Sequence, residues 1–301
     1  MIWVISMVFA VLFWSGAFIA GKVGVQSASP LALTYFRFLI AVICLFGYAK
    51  FCGISLKIRR QDWPVMFILG FVGMLCYHLL FFQALKFTTA IRTSMIAATN
   101  PLITSVIAAM VLGEKLNRIK IVCIFTALLG VLLTISQWDL LRLVQNSINN
   151  GDLIMLCAVL CWSIYAVIVR TQVGRFDPVV TTFYSFLTCL LLLTPFQVAE
   201  IAAGEFHIQQ DGWIAIAYMG VFPTFLGYMI QQQSIKYLGL SRTALFVNLT
   251  PVFTMILAVS ILHEAFFALN AVSAAVIIVA VLSYSIFGEK TRDLECKHKN
   301  T

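Results

Sequence analysis

The sequence has 301 residues, of which 61% are hydrophobic and 11% charged, and its mean hydropathy is +0.98. Soluble domains carry roughly 25% charged residues, so this composition excludes a soluble protein and indicates a chain that lies in a lipid bilayer. The net charge of +8 does not indicate nucleic-acid binding, because the basic residues are scattered along the chain and form no single cluster.

Apolar runs of about 20 residues, long enough to cross a bilayer as a helix, recur throughout the chain. Ten spans are predicted, at 2–20, 31–49, 63–85, 93–112, 119–137, 152–169, 179–199, 213–235, 241–262 and 268–287. In lipid, only a helix can satisfy the backbone hydrogen bonds of so many separate segments. The sequence therefore predicts an all-α integral membrane protein with ten transmembrane helices and a cytoplasmic tail at 289–301.

The two halves of the chain repeat one another. An offset of 150 aligns Trp63 with Trp213, Gln83 with Gln233, Pro101 with Pro251 and Glu114 with Glu264, and an offset of 148 aligns Trp14-Ser15 with Trp162-Ser163. Each copy contains five predicted spans, and an odd number of spans reverses the orientation of the second copy. The sequence therefore predicts two inverted five-helix repeats, 1–145 and 146–288, around a central cavity.

The distribution of basic residues predicts the orientation. With a cytoplasmic N-terminus, most of the 20 Lys and Arg residues fall in cytoplasmic segments, and only Lys22, Lys86, Arg92 and Arg142 fall outside. The positive-inside rule therefore predicts that both termini are cytoplasmic, in a multi-pass protein of the cell inner (plasma) membrane.

Spans 1 and 6 each carry a tryptophan near the middle of the membrane. Trp14 and Trp162 lie roughly 15 Å into their helices, whereas tryptophan usually concentrates at the interfaces. They either fill space between helices, with Ser15 as a small contact residue, or form an aromatic wall of a substrate cavity.

Spans 2, 3 and 8 carry further polar candidates. Arg37 in span 2 either reaches to the headgroups or binds a substrate carboxylate or phosphate. His78 and Gln83 in span 3 align with Tyr228 and Gln233. An ionisable residue inside the membrane is a functional hypothesis by default; the alternative for His78 is a histidine satisfied by one neighbouring hydroxyl.

Spans 4 and 9 contain Pro101 and Pro251. Each is predicted to leave the carbonyl four residues earlier without its usual donor. Asn100 and Asn248 stand beside these positions and offer uncharged donors and acceptors to a polar metabolite, while a simple packing kink is the alternative. All Asp and Glu residues fall at span ends, in loops or in the tail, so coupling to an ion through a mid-membrane carboxylate is not predicted.

Several of these motifs resemble the EamA-type branch of the drug/metabolite transporter superfamily. The residues that carry the resemblance are Leu12-Phe13-Trp14-Ser15-Gly16, Tyr35-Phe36-Arg37-Phe38, and Thr99-Asn100-Pro101 followed by Gly113-Glu114-Lys115. The resemblance implies a ten-helix carrier of small metabolites, often amino acids. The second copy departs from the pattern at Ser185 and His263, which stand where the first copy has Arg37 and Gly113.

The predicted function is therefore transport by a secondary transporter. The expected substrate is a small polar metabolite such as an amino acid or a related compound, and the expected mode is export or exchange. A flippase-type carrier of a lipid-linked or amphiphilic substrate is the alternative. An enzyme is not predicted, because the spans contain no HExxH motif and no serine beside a histidine. The expected partners are the substrate and membrane lipid, without cofactor, metal or nucleic acid, and the expected oligomeric state is a monomer.

Overall fold

The computed structural model describes residues 2–113, 118–136, 149–172, 175–238, 243, 246–265 and 268–298. Within these ranges every regular element is a helix, which confirms the predicted all-α class. The predicted repeat boundary at 145/146 and Glu114 lie outside the described residues.

The helices follow the predicted spans, although of the span predicted at 241–262 the structure describes only 243 and 246–262. The first half contains α1 (Ile2–Ser27), α2 (Pro30–Phe51), α3 (Arg60–Phe87), α4 (Ala90–Leu112) and α5 (Arg118–Ser136). The second half contains α6 (Asn150–Thr171), α7 (Pro178–Ala202), α8 (the consecutive segments Gln210–Met219, Gly220–Leu226 and Gly227–Leu238), α9 (Thr250–Leu262) and α10 (Ala268–His298). The last helix includes most of the segment predicted as a tail.

Seven of the described helices, α1 to α4 and α6 to α8, are long and apolar enough to cross a membrane. Two shorter apolar helices are α9 and the Ala268–Tyr284 part of α10. A multi-pass membrane protein follows from these lengths and compositions, while the count of ten crossings stays a prediction.

Local sequence explains where α2 and α7 begin. Both start with a proline at the first helical position, where the missing N–H is not needed. The preceding residues, Ser29 and Asp177, cap the helices by accepting hydrogen bonds from the backbone N–H groups of Ala32 and Val179. These two starts are equivalent positions of the repeat, so the second helix of each half is fixed in the same way.

Many of the helix contacts join one half of the chain to the other. Helix α2 packs against α7, α4 against α9, and α5 against α10. Helix α1 packs against α8 and α9, and α6 packs against α3 and α4. Exchanging α1 to α5 for α6 to α10 maps this set of contacts onto itself, so the site between the halves is built from both copies.

Helices α3 and α8 each contain a π-helical segment, Leu69–Cys76 and Gly220–Leu226. The two segments are equivalent in the repeat, and the sequence analysis did not predict them. A π-helical turn widens the helix locally and is frequent at functional sites. Tyr77-His78 and Gly227-Tyr228 follow directly after these segments, so the π segments position the polar candidates of α3 and α8.

Candidate functional site

The proline positions of α4 and α9 are helix breaks. Helix α4 consists of Ala90–Ala97 and Asn100–Leu112, with Pro101 in the first turn of the second part. Pro251 likewise lies in the first turn of α9. The Val247 carbonyl, whose usual donor is missing because Pro251 has no N–H, accepts a hydrogen bond from the Thr250 hydroxyl at 2.6 Å instead.

A serine from the opposite half contacts each break. The Ser15 hydroxyl of α1 donates to the backbone carbonyl of Thr250 at 3.1 Å, and the Ser163 hydroxyl of α6 donates to Oδ1 of Asn100 at 2.8 Å. Both serines are fully buried. Since Ser15 and Ser163 are equivalent positions, the two halves hold each other's broken helix by related contacts.

Arg37 points into the protein. Its side chain is only 5% exposed, and its Nε donates to the Thr224 hydroxyl at 2.6 Å. The Thr224 hydroxyl in turn donates to the carbonyl of Met219, also at 2.6 Å. The guanidinium carbon lies 5.6 Å from the centroid of the Phe38 ring and 6.0 Å from that of Phe82. These contacts show that the Arg37 side chain does not reach to the headgroups.

Trp162 stands in a cluster of aromatic residues, which we call the aromatic box. Its ring centroid lies 4.8 Å from that of Tyr77, 5.1 Å from Tyr165, and 6.5 Å from both Tyr228 and His78. Tyr77 and His78 come from α3, Trp162 and Tyr165 from α6, and Tyr228 from α8. The box therefore lies where the two halves meet.

His78 is held by the backbone of the π segment. Its Nδ1 lies 2.9 Å from the carbonyl oxygen of Met74, and a carbonyl only accepts, so Nδ1 carries the proton. The partner is thus a carbonyl and not the predicted hydroxyl. In the neutral ring Nε2 is then an acceptor, and no described residue donates to it. The Phe38 ring stands edge-on at 4.8 Å.

The other candidates lie apart from the aromatic box. Trp14 donates from Nε1 to the carbonyl of Pro223 at 3.1 Å and contacts Gly227, the residue equivalent to Tyr77. Gln83 is half-buried, and Asn248 is 5% exposed with an Nδ2 that has no partner. In the described part of the chain no hydrogen bond or ring contact joins Trp14, Gln83 or Asn248 to the box.

Tyr77, Tyr165 and Thr224 were not among the residues predicted from the sequence. Tyr165 lies three residues after Trp162 and hence on the same helix face, and Tyr77 precedes His78 at the end of the π segment, so a search of neighbours finds both. Thr224 carries no such signal, because its contact with Arg37 depends on how α2 packs against α8.

Charged residues at one end of the bundle bind helix termini. The Glu264 carboxylate accepts hydrogen bonds from the backbone N–H groups of Ala90 and Ile91, at 2.7 and 3.1 Å, where the positive end of the α4 dipole favours a carboxylate. The Lys22 ammonium donates to the carbonyls of Leu85 and Thr88 at the end of α3, both at 2.7 Å. Glu264 joins the halves at the predicted outer face, and Lys22 joins α1 to the end of α3 within the first half.

A buried ion pair lies beside them. Asp152 is fully buried, forms an ion pair with Arg92, and accepts a hydrogen bond from the Thr88 hydroxyl at 2.7 Å. The pair links α4 to the first turn of α6. Asp152 is thereby engaged in structure and is not available to a substrate at the aromatic box.

Comparison with known proteins places the chain in a family. The model of the EamA-like transporter family matches residues 1–136 and 149–286. The uncharacterized transporter YyaM of Bacillus subtilis is 31% identical over 91% of this chain and 90% of its own length, and an uncharacterized transporter of Archaeoglobus fulgidus is 26% identical over 84% and 86%. A crystal structure at 21% identity superposes with a TM-score of 0.65 over 94% of this chain and 98% of the other, which supports the fold. The protein belongs to the EamA-like transporter family.

Proposed function

We propose that the protein is a secondary transporter that moves a small polar metabolite, such as an amino acid or a related compound, as an exporter or exchanger. The observation that carries this proposal is the position of Arg37 and the aromatic box. The Arg37 guanidinium and the His78 ring, both buried, lie there at the junction of the two halves, which is where secondary transporters bind substrate.

The proposed architecture has ten membrane helices in two inverted five-helix repeats. Three observations support it: the interhelix contacts map onto themselves when the halves are exchanged, the π segments are equivalent, and the serine contacts to the broken helices are equivalent. Such a pair of repeats alternates access by rocking one half against the other. In the proposed orientation both termini are cytoplasmic and the membrane is the inner (plasma) membrane.

The proposal is tested with purified protein in liposomes and a panel of radiolabelled amino acids and other small metabolites. Counterflow is measured: liposomes preloaded with unlabelled compound are expected to accumulate the labelled one transiently, which an exchanger does without another energy source. Trp162→Ala, which removes the centre of the aromatic box, serves as the matched control and is expected to lose counterflow while it inserts normally. Absence of uptake of every compound by correctly inserted protein contradicts the proposal.

We further expect transport to run down the substrate gradient without proton coupling through His78. The ring donates to a backbone carbonyl and lies between aromatic rings, which fits a fixed hydrogen-bonding group. His78→Gln is therefore expected to leave any response of transport to an imposed pH gradient unchanged. Gradient-driven accumulation that disappears only in His78→Gln would show that the histidine relays protons.

One observation favours the flippase alternative. An apolar groove of about 360 Å³ lies between α1, α8 and α9, is lined by residues such as Gly16, Tyr218 and Leu257, and has Asp211 on its rim. Such a groove accommodates an acyl chain. Quenching of a fluorescent lipid by a membrane-impermeant reagent, measured in the same liposomes, distinguishes the two functions. A flippase brings inner-leaflet lipid to the outer leaflet, so that more than half of the fluorescence is quenched.

A further inference from the structure

We propose that Arg37 is the oxyanion-binding residue of the transport site. The substrate is then an organic anion whose carboxylate or phosphate lies on the guanidinium and whose flat body lies against Trp162. This inference rests on the proposed transport function and names the substrate class of the same site.

Arg37 has no counter-ion among the described residues. A guanidinium offers five N–H donors, and the structure uses one of those of Arg37, in the hydrogen bond to Thr224. No carboxylate of the described residues pairs with it: Asp62 pairs with Arg175, Asp152 with Arg92. A buried charge without a partner is costly, so this arginine is a site that an anion completes.

The second step is the fixed direction of the guanidinium. The Thr224 hydroxyl donates to the Met219 carbonyl and accepts from Nε of Arg37. This holds one edge of the guanidinium at the π segment of α8. The rings of Phe38 and Phe82 lie beside it. Nη1 and Nη2 remain as a fork, the geometry that binds both oxygens of a carboxylate or two of a phosphate.

The third step is what surrounds the fork. The Phe38 ring, which lies beside the guanidinium, stands 4.8 Å from the His78 ring of the aromatic box. Trp162, between Tyr77 and Tyr228, offers a flat apolar face, and Nε2 of His78 offers an acceptor. The box contains no carboxylate for a substrate ammonium, so its charge favours an anion over a cation.

The fourth step is the absence of a second such site. Ser185 occupies the position equivalent to Arg37, and its hydroxyl donates to the carbonyl of Thr181 in its own helix at 2.8 Å. The repeat therefore provides an arginine at this position in only one of the two copies, and we expect one anion bound per chain.

The test measures binding to the purified full-length protein by isothermal titration and by the shift in its thermal unfolding. The probes share one ring and differ in charge: phenylacetate, neutral phenylacetamide and cationic phenethylamine, with phenyl phosphate as the second oxyanion. Hydrogen bonds to a charged group contribute about 1.5–3 kcal/mol, so phenylacetate is expected to bind about tenfold or more tighter than phenylacetamide. The tighter of the two oxyanions identifies the group that the fork prefers.

Three variants separate charge recognition from a structural role. Arg37→Gln is expected to abolish the preference for anion over amide. Arg37→Lys keeps the charge without the fork and is expected to bind phenylacetate about tenfold more weakly while retaining the preference. Thr224→Val removes only the hydrogen bond at Nε and is expected to retain the preference as well. If Arg37→Gln does not fold, the wild-type comparison and the other two variants decide.

Equal binding of phenylacetate and phenylacetamide by the wild type overturns the proposal, as does an anion preference that survives in Arg37→Gln. Transport of neutral or cationic compounds that is insensitive to Arg37 also overturns it, yet leaves the transporter function intact. Anion binding at Arg37 without transport of any compound has the opposite meaning: it supports the binding site and contradicts the transport function.

Discussion

At the scale of single residues, equivalent positions of the two copies have come to differ. Arg37 bonds to Thr224 of the other half, while Ser185 bonds to its own helix. Gly113 ends α4 in the left-handed region with φ 69°, and His263 ends α9 in the same region with φ 52°. Glycine adopts this conformation without strain and other residues do not. The second copy therefore retains the backbone of the first at a cost in stability.

Substitutions at these two helix ends test this cost in stability. His263 is exposed, so His263→Gly removes little packing and is expected to stabilise the protein by up to about 1 kcal/mol. Gly113→Ala has free space for its methyl group and is expected to destabilise by about 1 kcal/mol through φ alone. Thermal unfolding in detergent measures both, and equal shifts of the same sign would exclude backbone strain as the cause.

The two asparagine candidates are expected to respond differently. Asn248 has a buried Nδ2 without a partner, so Asn248→Ala removes an unsatisfied donor and is expected to leave stability unchanged or higher while transport falls. Asn100→Ala leaves the buried Ser163 hydroxyl with only the 3.5 Å contact to the backbone carbonyl of residue 100 and is expected to destabilise by about 1–3 kcal/mol. Unfolding temperature and transport are compared for both variants; normal transport by Asn248→Ala would remove Asn248 from the site.

At the scale of elements, the π segments allow helices of opposite halves to approach closely. A Cβ added at Gly70 would lie 2.5 Å from Cβ of Thr188 and 2.7 Å from the carbonyl oxygen of Ser185, and one added at Gly220 would lie 3.1 Å from the carbonyl oxygen of Arg37. The equivalent glycines thus bring α7 against α3 and α2 against α8. The second contact places Arg37 beside Thr224.

This approach predicts a position-dependent effect of alanine. Gly70→Ala forces a methyl group against the backbone of α7 and is expected to destabilise the protein by about 1–3 kcal/mol. Gly47→Ala in α2, where the methyl group meets no atom within 4 Å, is the control and is expected to be neutral or mildly stabilising, since alanine favours a helix. Similar unfolding temperatures for the two variants would contradict close packing at the π segment.

At the scale of the whole molecule, the orientation of the chain in the membrane decides on which side Glu264 and Lys22 lie. If the N-terminus is cytoplasmic, the loop between α2 and α3 is cytoplasmic, and Glu264 and Lys22 close the opposite, outer face. Opening that face requires the contacts of Glu264 with the start of α4 to separate, because they join the two halves.

Cysteine labelling tests the orientation. Ser55 is exposed in this loop, and the nearby exposed Cys52 is first replaced by alanine. A cysteine introduced by Ser55→Cys is expected to react with a membrane-impermeant reagent only after the cells are opened, because the basic residues around it hold the loop inside. Labelling in intact cells would reverse the orientation and place Glu264 on the cytoplasmic side.

The sequence by itself determined the class of the protein, the positions of its helices and the existence of the repeat. The repeat is visible as residue matches at offsets of 150 and 148. Composition and run length suffice for the class and the helices, because lipid forces each apolar segment of about 20 residues into a helix that satisfies its own backbone. Residues such as Arg37 and His78 were recognisable for the same reason: a polar side chain in such a segment stands out.

Only the tertiary structure decided which of these residues meet. Trp14 and Trp162 are equivalent in sequence, yet the first packs on Gly227 and the second on Tyr77, so only Trp162 joins the aromatic box. Asn100 bonds to Ser163, while Asn248 keeps an unpaired amide. The π segments pack against helices that lie far apart from them in the chain, and the Arg37–Thr224 contact joins two such helices. The packing of these helices depends on the summed contacts of both halves, which no local pattern encodes.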